Sequence, residues 1–368
     1  MLIKQAKKYI IYDFEKEEFV CAMPQFYTET QHGVRKGTNI DFSPASRHIA
    51  YTVKNNLYVD NKAVTNEPEG IVCGQSVHRN EFGISKGTFW SPSGDLLAFY
   101  RMNESMVTPY PLVDITSRIA VTDMIRYPMA GMLSHEVKVG IYNPATEKTV
   151  YLNTGDPKDR YFTNITWAPD GRSLYLIELN RDQNHSKLCR YDAETGDLQQ
   201  VLIEERHAKY VEPQHPIIFL PWDDTKFVYQ SQRDGFNHLY LYDLAKLSSA
   251  KPTAEDAVST QLTQGDWLVQ NVLGFNKKKK EVIFTATKES PLQSNIYKVN
   301  VNNGKLTAVG NSEGVHHSLL SASGEYLIDR YFTPQIPRNI DIVSTGNSKS
   351  INLLTAKNPY RRFSNNHA

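Results

Sequence analysis

The chain has 368 residues, with 41 Lys and Arg against 40 Asp and Glu, a net charge of +1. That balance argues against nucleic acid or an anionic membrane surface as the main partner. A hydrophobic content of 40% excludes a disordered chain, and the longest apolar runs fall short of the ~18 residues that a membrane-spanning helix needs.

The first readable element is a hairpin. Residues 9–13 (Tyr-Ile-Ile-Tyr-Asp) turn at Glu15-Lys16-Glu17 into residues 18–20 (Glu-Phe-Val). A repeated unit follows: an aromatic or apolar run, Ser-Pro or a near variant, a turn, and a second apolar run. Its copies are anchored at Pro44, Pro92, Pro169, Pro221, Asn276 and Ala322, spaced 48, 77, 52, 55 and 46 residues apart. Turn sequences such as Ser93-Gly94-Asp95, Asp170-Gly171-Arg172 and Ser323-Gly324-Glu325 follow the anchors, and β-rich runs follow the turns. A second hairpin completes each unit, as where residues 188–192 turn at Glu194-Thr195-Gly196 into residues 198–202. Two hairpins make a four-stranded antiparallel blade. A repeat of this length predicts an all-β β-propeller, with six full blades and a leading half-blade. Residues 1–368 then form one propeller domain that is cut at its N-terminus; the alternative is a strand swap that closes the ring from the other end.

The rhythm fails in two places. Just before Pro92, residues 76–87 carry charge where a connection between strands should be short; one helical turn fits residues 77–82 and would fix Glu81. A fixed carboxylate suits an ammonium group, because charge-assisted hydrogen bonds are the strong ones. The competing assignment is a surface Glu81 paired with Arg79 or Lys86. The second break is the 77-residue gap, whose excess lies between Tyr100 and Val137. The arm of residues 102–132 is rich in Met, Tyr, Pro and Arg, which are adaptable contact residues. The run Lys277 to Lys280 falls in a hairpin turn and is expected to be solvated. Cys21, Cys73 and Cys189 are too scattered for a metal site or a disulfide framework, so no metal or cofactor is expected. The first residues lack a signal-peptide apolar region; the signal of an exported, periplasmic parent would lie upstream.

Residues 76–84 (Ser-Val-His-Arg-Asn-Glu-Phe-Gly-Ile), 87–92 (Gly-Thr-Phe-Trp-Ser-Pro) and 97–102 (Leu-Ala-Phe-Tyr-Arg-Met) closely resemble the propeller of dipeptidyl peptidase IV-like serine peptidases, nearest to the bacterial prolyl tripeptidyl aminopeptidases. So do residues 127–131 (Tyr-Pro-Met-Ala-Gly), 210–216 (Tyr-Val-Glu-Pro-Gln-His-Pro) and 230–242. The resemblance covers about residues 41–359. It implies an eight-bladed propeller that gates access for short peptides to a C-terminal α/β-hydrolase domain. It also implies a glutamate that binds the substrate's free α-amino group. That residue maps to Glu81, with Asn80 and Arg79 beside it. Dipeptidyl peptidase IV itself has two adjacent glutamates here; Asn80-Glu81 offers one carboxylate, which leans toward tripeptide release. The family's catalytic triad maps to no residue of this chain: Gly83-Ile84-Ser85-Lys86-Gly87 and Gly310-Asn311-Ser312-Glu313-Gly314 fit the Gly-x-Ser-x-Gly spacing, but no strand-helix alternation is there to make a nucleophile elbow of either. The implied partners are a short peptide, the hydrolase domain and, through residues 102–132, a second subunit. The other reading of the whole is a free-standing propeller that binds proteins or peptides. Which residues around Glu212 and Arg233 face the channel is left open.

Overall fold

The computed structural model describes residues 37–246 and 260–359 with their side chains, and for residues 2–36 and 258–259 strand backbones alone. The side chain of Cys21 and the turn at residues 15–17 lie outside what is described. Among the described residues every paired strand is antiparallel to its neighbour, and helix is confined to isolated turns such as His78–Asn80. It falls into two compact units, Met1–Pro216 and Ile217–Ala368.

In the first unit, Lys8–Asp13 pairs with Glu18–Met23 as expected, but Leu2–Gln5 adds a strand, so the leading sheet has three strands rather than two. A ribbon, Tyr27–Thr30 with Gly33–Lys36, follows. Next comes a four-stranded sheet of Thr38–Phe42, Ile49–Val53, Asn56–Val59 and Lys62–Ala63. The following sheet runs from Ile71–Cys73 through Leu97–Asn103 and Glu136–Asn143 to Lys148–Tyr151, with Thr88–Trp90 also on Leu97–Asn103. The last is Arg160–Trp167, Ser173–Asn180, His185–Asp192 and Leu198–Arg206. The second unit holds three four-stranded sheets, which open with Ile218–Leu220, Val269–Asn276 and Val315–Leu320.

The repeated anchor explains how sheets join. Trp90 Nε1 donates to the Asp41 carbonyl (3.1 Å), one anchor strand back, and Trp167 Nε1 donates to the Phe89 carbonyl in the same way (2.9 Å). The turn glycine closes on the preceding anchor as well. Gly94 sits at φ +76°, and a Cβ there would lie 2.2 Å from Ser43 Oγ; at Gly324, φ +72°, it would lie 2.0 Å from the Phe275 carbonyl oxygen. Between sheets, the apolar faces interlock: Tyr100, Val139, Phe162, Leu174 and Leu176 share one cluster, and Leu57, Leu97 and Phe99 another. Full burial of each such side chain stabilises by about 1.5–3 kcal/mol.

Both breaks in the repeat are visible. Residues 109–126 form a ribbon, Pro109–Asp114 against Val121–Arg126, inserted between two strands that pair down to Asn103 and Glu136. Its Leu112, Val113, Ile119 and Met124 are exposed. The other break is not a connection between strands. Ile71–Cys73 and Thr88–Trp90 both pair with Leu97–Asn103, so residues 74–87 are an excursion from within one strand. Tyr100 closes its base at both ends: its carbonyl accepts from Gly74 N–H (2.9 Å), and its N–H donates to the Gly87 carbonyl (3.0 Å). Gly87 is required there, since a Cβ would lie 2.1 Å from the Gln75 carbonyl oxygen.

The lysine run forms the turn between Val269–Asn276 and Glu281–Ala286. Lys277, Lys278 and Lys279 are exposed, and Lys278 pairs with Glu325 at 2.8 Å.

Candidate functional site

The excursion carries Glu81 on a turn of unusual hand. His78, Arg79 and Asn80 have φ of 51°, 54° and 64°, and Phe82 and Gly83 follow at 57° and 74°. Only Glu81, at φ −66°, is extended. The expected helical turn is therefore present but left-handed. For an L-residue this costs about 1–2 kcal/mol each, least for residues such as Asn and His that tolerate the region. Backbone strain of this kind persists only when the surroundings over-determine it.

The surroundings do. His78 is buried. Its Nδ1 lies 2.7 Å from His135 Nε2, and its Nε2 accepts from Phe162 N–H at 3.1 Å. The Tyr161 ring stands edge-on at 4.9 Å. Burial, and secondarily His135, hold the His78 pKa well below the ordinary imidazole value. Burial, then the guanidiniums of Arg79 and Arg181, depress His135 to about 4. On the far side of Glu81, Thr163 Oγ1 donates to the Phe82 carbonyl (3.0 Å), and Phe82 packs on Tyr161. Gly83 lies so close to the Gln214 carbonyl oxygen that a Cβ would stand 2.0 Å from it. The segment carrying Gln214 is itself tied down, for Asn164 Nδ2 donates to the Pro213 carbonyl at 2.8 Å. Asn164 can reach because a bulge between Thr163 and Thr166 turns it out of the strand at φ 55°.

Glu81 is exposed, and among the described residues no cation pairs with it. The surface-pair assignment fails on both candidates: Lys86 Nζ bonds Asp41 at 3.0 Å, and the Arg79 guanidinium sits 5.7 Å from the Tyr127 ring centre. Arg79 and Asn80 line a cavity of 330 Å³ with Met102, Glu104, Arg126 and His135; Glu81 is not in that wall. Burial raises the Glu104 pKa, against the lowering by Arg126 and Arg79. The three site residues read from sequence thus share one turn but not one cluster.

Of the other segments singled out, residues 210–216 reach this turn through Gln214, while the Glu212 carboxylate is exposed and accepts from Gln214 Nε2 at 2.7 Å. Arg233 belongs to the second unit, where its guanidinium lies 4.2 Å from the Tyr240 ring centre. Sequence reasoning missed His78, His135, Thr163 and Gln214. His78 was in plain view beside Arg79, but nothing in the sequence links it to a partner 57 positions on. Ser318, Asp329 and His316 adjoin in the second unit, with Asp329 accepting from both others at 2.8 and 2.7 Å. The hydroxyl is therefore not presented to the imidazole, and the trio lacks the wiring of a nucleophilic triad.

The family model described as the dipeptidyl peptidase IV N-terminal region matches residues 4–338. Proteins named by inference as dipeptidyl-aminopeptidase B are 27% identical in Arthroderma otae over 333 residues, covering 80% of this chain and 35% of that protein. In Coccidioides posadasii the identity is 27% over 356 residues, covering 86% and 38%. A crystal structure from Bacteroides ovatus, assigned by inference as a dipeptidyl aminopeptidase IV, is 56% identical with a TM-score of 0.84, covering 98% of this chain and 51% of that one. Porphyromonas gingivalis dipeptidyl peptidase 4 shares the fold, with a TM-score of 0.77 at 22% identity over 97% of this chain and 50% of that one. The chain spans about half the length of these solved chains, and less of the fungal proteins. All four carry dipeptidyl names, and none of them bears on the narrower likeness to tripeptidyl enzymes. The chain belongs to the dipeptidyl peptidase IV N-terminal region family, and its fold is that family's β-propeller.

Proposed function

We propose that residues 1–368 form the substrate-gating propeller of an exported post-proline di- or tripeptidyl aminopeptidase, in which Glu81 receives the α-ammonium of a short peptide. The observation that carries this reading is an exposed carboxylate, without an ion pair among the described residues, on a turn held in a strained conformation by buried side chains. Such a carboxylate needs no reorganisation to accept an ammonium. Hydrogen bonds to charged groups contribute about 1.5–3 kcal/mol, or roughly ten- to more than a hundredfold in affinity. Anchoring the amino end sets how many residues reach the point of cleavage, and the single carboxylate beside Asn80 favours three. A C-terminal α/β-hydrolase domain would supply the nucleophile and its base, with no cofactor. The apolar ribbon of residues 109–126 would contact that domain or a second subunit.

The test is made in the full-length protein. Glu81→Gln is compared with the wild type on Gly-Pro and Ala-Ala-Pro chromogenic substrates and their N-acetylated forms. Free-amine substrates lose at least about tenfold in kcat/KM while acetylated ones change little; equal behaviour of the two proteins overturns the reading. The exposed ribbon also favours a second reading, a free-standing propeller that binds proteins or peptides. A nucleophile elbow encoded directly downstream would exclude it.

A further inference from the structure

We infer that His78 and His135 are positioning residues for the Glu81 carboxylate: their hydrogen-bonded neutral pair locks the left-handed turn and thereby fixes where an ammonium can be received. The inference rests on the reading of Glu81 above. Its basis is the direction of the hydrogen bonds. His78 Nε2 accepts from the Phe162 amide (3.1 Å), so a neutral His78 carries its proton on Nδ1. That proton points at His135 Nε2 (2.7 Å), which must therefore be bare. The run from Phe162 N–H through His78 to His135 is satisfied only when both rings are neutral. A proton added to either ring sets two N–H groups against each other, at His135 or at Phe162.

The surroundings enforce neutrality. Tyr161 closes one side of His78 with its ring edge. Arg79, on the same turn, and Arg181, on the neighbouring hairpin, both act against a proton on His135. Arg181 also donates to the Met132 carbonyl, three residues before His135. An apolar pair would fill this space without the polar groups. What the imidazoles add is direction: one rotamer and one tautomer of His78, and hence one backbone path through Arg79 and Asn80 to Glu81.

The experiment uses the full-length protein and two variants. His135→Leu keeps bulk but removes the acceptor; His135→Gln keeps an acceptor near the Nε2 position. His135→Leu is expected to raise KM for free-amine peptides about tenfold, the scale of one lost buried hydrogen bond. Its kcat and its rates on N-acetylated peptides stay within about twofold of the wild type, and His135→Gln returns KM to within about threefold. A KM unchanged in His135→Leu, or equally raised in both variants, overturns the inference. Glu81→Gln is measured alongside. If it too is silent, the ammonium reading has failed; if it alone raises KM, only the positioning role has. Should His135→Leu not fold, the ¹⁵N shifts of the wild-type imidazoles decide at pH 7. Nδ1–H on His78 with Nε2 bare is expected, and an Nε2–H tautomer or an imidazolium overturns the claim.

Discussion

Acid should lower the stability of the fold before it titrates most carboxylates. His135 is held at about 4, by burial first and then by Arg79 and Arg181, whereas an unfolded imidazole titrates near 6.5. The folded pKa is the lower one, so the unfolded state binds the proton first, and stability must fall as pH drops below about 6.5. Each unit is worth about 1.4 kcal/mol. At pH 5 the loss is therefore about 2 kcal/mol, rising to about 3 near pH 4, with His78 acting in the same direction. Glu104 opposes them: its raised pKa means that protonation stabilises the fold as pH falls toward the usual carboxylate range. Asp95 and Asp192, held low by hydrogen bonds to serine hydroxyls and to backbone amides respectively, lose their contribution only below about pH 4. The window from pH 6.5 to 5 thus belongs mainly to the histidines. Urea unfolding of the wild type and His135→Gln at half-unit steps reads the effect. The wild type should lose stability across the window, and the variant should lose less. A flat wild-type profile, or parallel profiles, would refute the assigned burial and tautomers.

Gly83→Ala forces a Cβ within 2.0 Å of the Gln214 carbonyl oxygen at φ +74°, so it should destabilise by several kcal/mol and lower Tm; alanine at Gly131, at φ +75° with nothing within 4 Å, should cost only the backbone strain of about 1–2 kcal/mol. Trp167→Phe removes the bond to the Phe89 carbonyl while keeping most of the apolar contact; a loss of about 1 kcal/mol in urea unfolding is expected. Cys73 is buried with its thiol pushed up to about 11, and burial also raises Cys189. Both should resist iodoacetamide at pH 8 in the folded protein and react once it is unfolded, as mass spectrometry would show.

Much of the fold was legible because period-two patterning and turn residues are local. The pairing of His185–Asp192 with Leu198–Arg206 and the arm's position between Tyr100 and Val137 both follow from short stretches of sequence. Glu81 was legible as a residue held out of the repeat. The hand of its turn was not, because Arg79 gives no local signal for positive φ and only the contacts around it impose one. Nor was the split strand: Ile71–Cys73 and Thr88–Trp90 each read as ordinary β sequence, and only their shared partner reveals the excursion. The contacts that hold the turn were invisible for the same reason. His135 and Gln214 reach the turn from segments 57 and 131 residues beyond His78 and Gly83, through tertiary packing that no short-range pattern encodes.

The most direct measurement is a crystal structure of the full-length protein with a bound, uncleaved tripeptide that ends in proline. The peptide nitrogen should lie within about 3 Å of the Glu81 carboxylate, with His78 bonded to His135 and Phe162. A peptide whose amino terminus lies elsewhere, with Glu81 still facing solvent, would contradict it.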